Sequence, residues 1–415
     1  MKKLAELYGF YARELKENIL AFWLPRCRDS LCGGYLNCFD NSGEHLVSHD
    51  KYTWSQGRFL WLFSSLATTG APLFSQSERK SFLELAEYGY SFLRKHCLIA
   101  PDDLRCVFLT GRDGTPKQGD MSIYADCFVV MGMAAYAVAA KEKDAYSFAK
   151  SLYLSVKKRI DEGLFNTLPY PLGKEYRAHG IPMILTNTAL ELYKAACIFD
   201  PDYCSALLHH MEDTATEVTD RFSDTFGLVR EVIRADGKPL DGLLGNHINP
   251  GHSIEDSWFI AKASELTGRP YLFSRAAQIM QKSFHAGWDD LYGGILHFVN
   301  IEGDPYRFES DSSGPTVELV KNGWADKLWW VHSETLYASL LFYVKTGDCE
   351  FLDIHNKTRE YVFDHFPNRN PLVGEWFQIL TREGKPQEKV VALPVKDPYH
   401  IARNFLLVCE LLSGR

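Results

Sequence analysis

Apolar residues recur at three- and four-residue spacing over 121–140, 183–198, 254–266, 334–345 and 401–412, and this periodicity predicts five helices that each bury a face. Second helices are expected behind several of them, as at 78–96 and 271–284. Between the helical stretches a different pattern returns: glycine, a short apolar strand-like run, then a polar turn closed by glycine. Its clearest copies are Gly33-Gly34-Tyr35-Leu36-Asn37-Cys38-Phe39-Asp40-Asn41-Ser42-Gly43 and Gly293-Gly294-Ile295-Leu296-His297-Phe298-Val299-Asn300-Ile301-Glu302-Gly303. Weaker copies run over 106–114, 227–237 and 374–384, with a degenerate sixth around Gly163 to Gly173. Each reads as a hairpin arm ending in a glycine turn. The closing glycines fall at roughly 60 to 80 residue intervals, the mark of a repeat architecture.

A unit of hairpin, helix and helix, taken six times, predicts an all-α fold: an (α/α)6 barrel with short β-hairpins gathered at one end. An open solenoid is the alternative, and six repeats favour closure. No Pro/Gly/Ser-rich linker divides the chain, so one domain over 1–415 is expected. In such a barrel the helix after each hairpin starts near one mouth, where side chains converge. Those starts carry Trp54, Gln56 and Arg58, then Tyr124 and Asp126, then Met183 and Asn187, then His252 and Glu255. The fifth and sixth carry Trp329, Trp330, His332 and Glu334, and Tyr399, His400 and Arg403. Aromatic rings, arginines, histidines and acids around one cavity describe a carbohydrate site, with rings stacking on sugar faces and polar groups holding hydroxyls.

Composition narrows the partners. With 46% hydrophobic and 24% charged residues the chain is an ordinary globular sequence with a sizeable core. A net charge of -8 gives no basic footprint for nucleic acid or an anionic membrane, and no apolar run is expected to reach membrane-spanning length. The first residues, Met1 to Leu7, lack the apolar stretch of a signal peptide, so a cytoplasmic protein is expected. Ten cysteines without CxxC spacing fit reduced thiols there, and the x4 and x5 gaps joining Cys27, Cys32 and Cys38 are poor for zinc.

The chemistry concentrates in Asn249-Pro250-Gly251-His252-Ser253-Ile254-Glu255, which reads as a helix start with a base and, three residues on, its carboxylate partner. Asp397-Pro398-Tyr399-His400 supplies a second candidate base. Imidazole has an ordinary pKa near 6.5, so two of them flanking one carbon suit proton removal beside a carbonyl and its return from the other side. His179 lies near Pro182 and is set aside, and His45, His209, His210, His285 and His355 read as surface or turn residues.

Five segments in order, Trp54-Ser55-Gln56-Gly57-Arg58, Asn249 to Glu255, Leu328-Trp329-Trp330-Val331-His332-Ser333-Glu334, Gly374-Glu375-Trp376-Phe377 and Tyr399-His400-Ile401-Ala402-Arg403, resemble the N-acylglucosamine 2-epimerase family, which includes cellobiose 2-epimerases and aldose-ketose isomerases. The resemblance implies the (α/α)6 barrel and epimerisation at C2 of a sugar through a ring-opened aldehyde and an enediolate. By it, His252 and His400 exchange the C2 proton, Glu255 is the acid beside the first, and Arg58 binds the oxygens near C1. Trp54, Gln56, Tyr124, Asn187, Trp329, Trp330, His332, Glu334 and Arg403 complete the expected sugar site. The resemblance implies no metal and no required cofactor, and a homodimer. Nucleotide (ATP) activation, known for some members, is opposed by the short loop Pro394-Val395-Lys396-Asp397-Pro398-Tyr399, which is closer to the disaccharide epimerase form. Against that, the apolar Ile181-Pro182-Met183-Ile184-Leu185 resembles the acetylglucosamine branch, so interconversion of N-acetylglucosamine and N-acetylmannosamine is the expected reaction, with mannose, glucose or cellobiose as alternative substrates. The rival classes are a glycoside hydrolase on the same barrel, a metal-dependent isomerase using His252, Glu255, His332 and Glu334, and a sugar-binding protein without catalysis.

Overall fold

In the computed structural model of the chain, residues 2–301, 306–308 and 313–414 are described. Met1 and the last two residues of the Gly293–Gly303 pattern, Glu302 and Gly303, lie outside them.

Six inner helices are formed by Thr53–Thr68, Ile123–Ala140, Gly180–Phe199, Pro250–Thr267, Trp329–Thr346 and Tyr399–Leu412. Each packs on the next, and the sixth returns to pack on the first, so the ring is closed. Outside them lie Gln76–His96, Lys143–Asp161, Cys204–Glu217, Pro270–Gly287 and Cys349–His365. The sixth outer position is taken by the N-terminal helix Lys2–Arg13, which packs on the last inner helix and continues through a π-helical stretch, Glu14–Leu20. This is the (α/α)6 barrel that the repeat count predicts.

Inner and outer helices differ for a physical reason. An outer helix needs one apolar stripe, and Gln76–His96 buries Phe82, Ala86, Gly89, Phe92 and Leu93 while Ser75 and Glu78 cap its start. An inner helix is covered on both sides and is apolar nearly all round. Ile123–Ala140 is the extreme, with the length and hydropathy of a membrane span, contrary to expectation, and 72% of it buried within the barrel. Its backbone meets the first inner helix directly. A Cβ on Gly57 would lie 2.5 Å from the Phe128 carbonyl, and one on Gly132 would lie 2.5 Å from the Gly57 oxygen.

The glycine-closed hairpins form, and they also pair with distant segments that the sequence pattern does not reveal. The short strand before each inner helix bonds to the hairpin of the next unit: Lys51–Tyr52 with Leu109–Thr110, Tyr176–Ala178 with Val232–Arg234, His247–Ile248 with Val299–Asn300, and Lys327–Leu328 with Ile379–Leu380. Ser122 bridges Thr167 in the degenerate copy, and Lys396 donates its amide to the Asn37 carbonyl of the first hairpin. All six inner helices are thereby fastened at the mouth, and the last is held by the first unit.

Two of these fastenings each carry a buried ion cluster of the same kind. Lys51 and Asp29 pair at 2.9 Å with neither exposed, joined by Arg112; Lys327 and Asp289 pair at 3.2 Å, joined by Arg382. Gln56 and His332, each five residues after its lysine, grip the equivalent backbone. Gln56 bonds both the N–H and the carbonyl of Tyr35, and His332 Nε2 accepts from the Ile295 amide at 2.9 Å.

Candidate active site

The inner-helix starts surround a cleft of about 300 Å³ at the hairpin end of the barrel, within the range of small-molecule sites. Of the residues expected there, Trp54, Arg58, Tyr124, Asn187, His252, Glu255, Trp329, Trp330, His400 and Arg403 line it. Met183 also lines it, whereas Gln56, Asp126, His332, Glu334 and Tyr399 do not. Gln56 and His332 are the backbone grips just described, and burial holds His332 down to about 3, so its ring is neutral. The reason is helical rotation: each sits two residues, or some 200°, from the cavity-facing Trp54 and Trp330. Glu334 is fully buried and does not line the cleft; it accepts from His400, Arg403, Trp258 and Asn404 and so holds those side chains in place. Asp126 likewise faces away, bound to Arg159.

His252 sits in the first turn of the fourth inner helix. Asn249 caps that helix by accepting the His252 amide at 3.2 Å, and Pro250 occupies a position where no amide is needed. The expected Glu255 partnership is not what forms. His252 Nδ1 donates instead to Glu231 Oε2 at 2.9 Å, a carboxylate brought by the Gly227–Gly237 hairpin. Burial opposes the Glu231 charge, but His252 and His179 outweigh it and hold the carboxyl well below the usual carboxylate range. Glu255 turns across the barrel to Arg403.

His400 is built alike from other elements. Its Nδ1 donates to Glu334 Oε1 at 2.7 Å, and Glu334 also receives Trp258 Nε1 and Asn404 Nδ2, both at 2.8 Å, and Arg403. Burial alone would raise the Glu334 carboxyl; Arg403, His400 and Asn404 bring it down to about 2. Both cavity imidazoles therefore have Nδ1 fixed by a carboxylate, the largely enclosed Glu231 or the fully buried Glu334, which leaves Nε2 as the nitrogen free to exchange a proton. The Trp330 ring lies between them, its centroid 5.3 Å from the His252 ring and 5.6 Å from the His400 ring.

On the other wall Arg58 pairs with Asp397 and lies over Trp54, Phe128 and Tyr399, with its guanidinium 4.2 Å from the Phe128 centroid. Packed between rings, the charge is fixed in place and poorly hydrated. Glu255, Glu334 and His400 approach closely enough to hold a metal ion. Arg403 already places its guanidinium against both carboxylates, supplying the positive charge that such an ion would bring.

Sequence reasoning missed Glu231, Asp397 and the group behind His252. His179, set aside above, is fully buried with its ring centroid 6.4 Å from that of His252; it joins Glu231 to Asp256. One signal was present. Glu231, with Arg230 beside it, interrupts an apolar hairpin run, Gly227-Leu228-Val229-Arg230-Glu231-Val232-Ile233.

Comparisons with known proteins agree with this architecture. The family model described as N-acylglucosamine 2-epimerase (GlcNAc 2-epimerase) matches residues 34–403. The N-acylglucosamine 2-epimerase of Bos taurus is 29% identical over 97% of this chain and 90% of its own length, and a cellobiose 2-epimerase of Ruminococcus albus is 23% identical over 94% and 95%. The solved cellobiose 2-epimerase of Spirochaeta thermophila superposes with a TM-score of 0.78 at 21% identity, over 99% of this chain and 98% of that one. With the family matched across most of its length, and a barrel mouth carrying two carboxylate-held histidines, the chain belongs to the N-acylglucosamine 2-epimerase family and is a sugar isomerase.

Proposed function

We propose that the protein interconverts N-acetylglucosamine and N-acetylmannosamine by removing and returning the proton at C2 of the ring-opened sugar. The observation that carries this reading is the pair of cavity imidazoles, each with Nδ1 on a carboxylate and with Trp330 between them. One neutral Nε2 takes the C2 proton, and the C–H electron pair forms the C1–C2 double bond as the carbonyl electrons move to O1. The protonated ring on the other side returns a proton to the opposite face of C2, and the C1 carbonyl reforms. Arg58, held rigidly among rings, stabilises the developing O1 charge without having to reorganise.

The acetamido group is assigned from the third inner helix. Met183 and Asn187, four residues apart on one face and both lining the cleft, offer an apolar surface for the methyl and an amide for the carbonyl. Hydrolysis is disfavoured by the same chemistry, because the cleft carboxylates Glu231, Glu255 and Asp397 are each bound to a histidine or an arginine rather than free as an acid and nucleophile. No metal or cofactor is needed for these steps, and activity is expected to persist in chelator and without nucleotide.

Incubation with a sugar panel in deuterated water, followed by NMR, tests the proposal. The expected result is deuterium at C2 of both N-acetylhexosamines and loss of that exchange in His252→Asn and His400→Asn. Exchange confined to mannose, glucose or cellobiose would sink the substrate assignment, and retained exchange in either variant would remove that histidine from the mechanism.

A further inference from the structure

Beyond His252, reached through the cleft carboxylate Glu231, lies a chain of charged groups that the proton exchange at C2 does not itself require. Asp256 Oδ2 faces His179 Nε2 at 2.8 Å, His179 Nδ1 faces Glu231 Oε1 at 3.2 Å, and Glu231 Oε2 faces His252 Nδ1 at 2.9 Å. His179 is fully buried, and both of its ring nitrogens point at carboxylate oxygens. A ring that meets an acceptor at each nitrogen donates from both, which makes it an imidazolium.

We infer that His179, held charged by Asp256, is a positioning residue that neutralises Glu231 and thereby weakens the hold of His252 on its proton. This inference rests on the proposed role of His252 as an exchanging base. The physical argument is one of balance. Glu231 alone, its negative charge against His252 Nδ1, would favour the charged form of that ring over the neutral base. The positive ring on its other oxygen offsets that charge, while Glu231 still fixes which nitrogen of His252 faces the sugar. Asp256 is needed in turn, because burial opposes a charge on His179; with Asp256 and Glu231 bonded to it, that ring is raised to about 10.

The other titratable groups facing this cluster do not change charge near neutrality. They are Tyr124 of the second inner helix, pushed up by burial, and His247 and His297 of the paired strands and hairpin, both pushed down by burial, His297 to about 3. Among the described residues this leaves His179 as the cation next to Glu231 that is not itself a cleft base.

The variant His179→Gln retains a donor for Glu231 and removes the charge. With ring centroids 6.4 Å apart, loss of that charge is expected to move the acidic limb of the kcat/KM pH profile upward by about two pH units, so that activity lost at pH 7 returns at higher pH. A uniform loss at every pH would overturn the inference and make His179 merely structural. If the variant does not fold, the unaltered protein answers directly. In 15N-histidine-labelled protein the ring that contacts Phe222 should carry both N–H protons from pH 6 to 8, and a neutral tautomer there would overturn the inference. That ring's protonation is read without turnover, so it stands or falls separately from the exchange assay on which the role of His252 depends.

Discussion

The two cleft histidines share the Trp330 ring and are otherwise held by different elements, yet by the same kind of group. Each has one nitrogen on a carboxylate that is itself fixed, Glu231 by His179 and Glu334 by Trp258, Asn404 and Arg403. A carboxylate in that place fixes the tautomer and stabilises the imidazolium formed when the ring accepts a proton. A glutamine there can offer an N–H to Nδ1 and turn the ring over. Glu231→Gln and Glu334→Gln are therefore each expected to reduce kcat about 10²- to 10⁴-fold, measured by C2 exchange under conditions where the variant is folded. A loss below tenfold would remove the orienting role. Glu255 was expected to do this for His252 because residues three apart on a helix are neighbours, and they are. Arg403, one of whose partners is also Glu334, competes for that carboxylate from across the barrel, and a competitor 148 positions away leaves no trace in local spacing.

At the scale of elements, the site depends on how closely helices approach and how firmly their first turns are tied. The first two inner helices touch backbone to backbone at Gly57 and Gly132, next to Arg58. Gly57→Ala must push them apart, and it is expected to cost about 1–3 kcal/mol of stability in urea unfolding and to lower kcat/KM as Arg58 shifts. An unchanged unfolding midpoint would show that the contact tolerates a methyl group. The ion cluster under the fifth inner helix makes a stronger demand. Lys327→Met leaves Asp289 buried with Arg382 as its remaining cation and takes the lysine ammonium from the Gly293 carbonyl; a loss of about 3–5 kcal/mol is expected, and a loss under 1 kcal/mol would argue that Arg382 suffices alone. Gln56 and His332 belong to this scale rather than to the site. Their offset from the cavity-facing residues was legible in the helical period, but the backbone they grip was not.

For the whole molecule, burial of histidines sets the response to acid. His297 and His332 are held down to about 3 by burial, whereas the unfolded chain protonates them near 6.5. Between those values the unfolded state binds more protons, so stability falls as pH drops from about 6.5 toward 3. Glu334 adds to this, because its contribution is present above about 4.5 and is lost as pH falls toward about 2. His179 acts with the opposite sign: its contribution is full below about 6.5 and is lost as pH rises through about 10. A thermal midpoint that peaks near pH 6.5 to 7 and declines to either side is the expected outcome of calorimetry. A midpoint flat from pH 6.5 to 4 would contradict it.

The sequence alone determined what is periodic or local. The helical spacing and the recurring Gly-apolar-Gly pattern are short-range properties, and they specified six units, their order and the common end at which the inner helices begin. The asparagine-proline cap placed His252 in a first turn, and the residues of the helix starts that face inward were nearly all named from it. Only the tertiary structure decided the partners. Each hairpin bonds to the strand before a different unit's helix, the last unit is tied to the first, and Glu231, Glu334 and Arg403 reach the histidines from elsewhere on the ring. A closed barrel brings together side chains that are hundreds of residues apart. Which of several acids wins a given histidine or arginine is then set by burial and by the competition among all charges at that point, which no local pattern encodes.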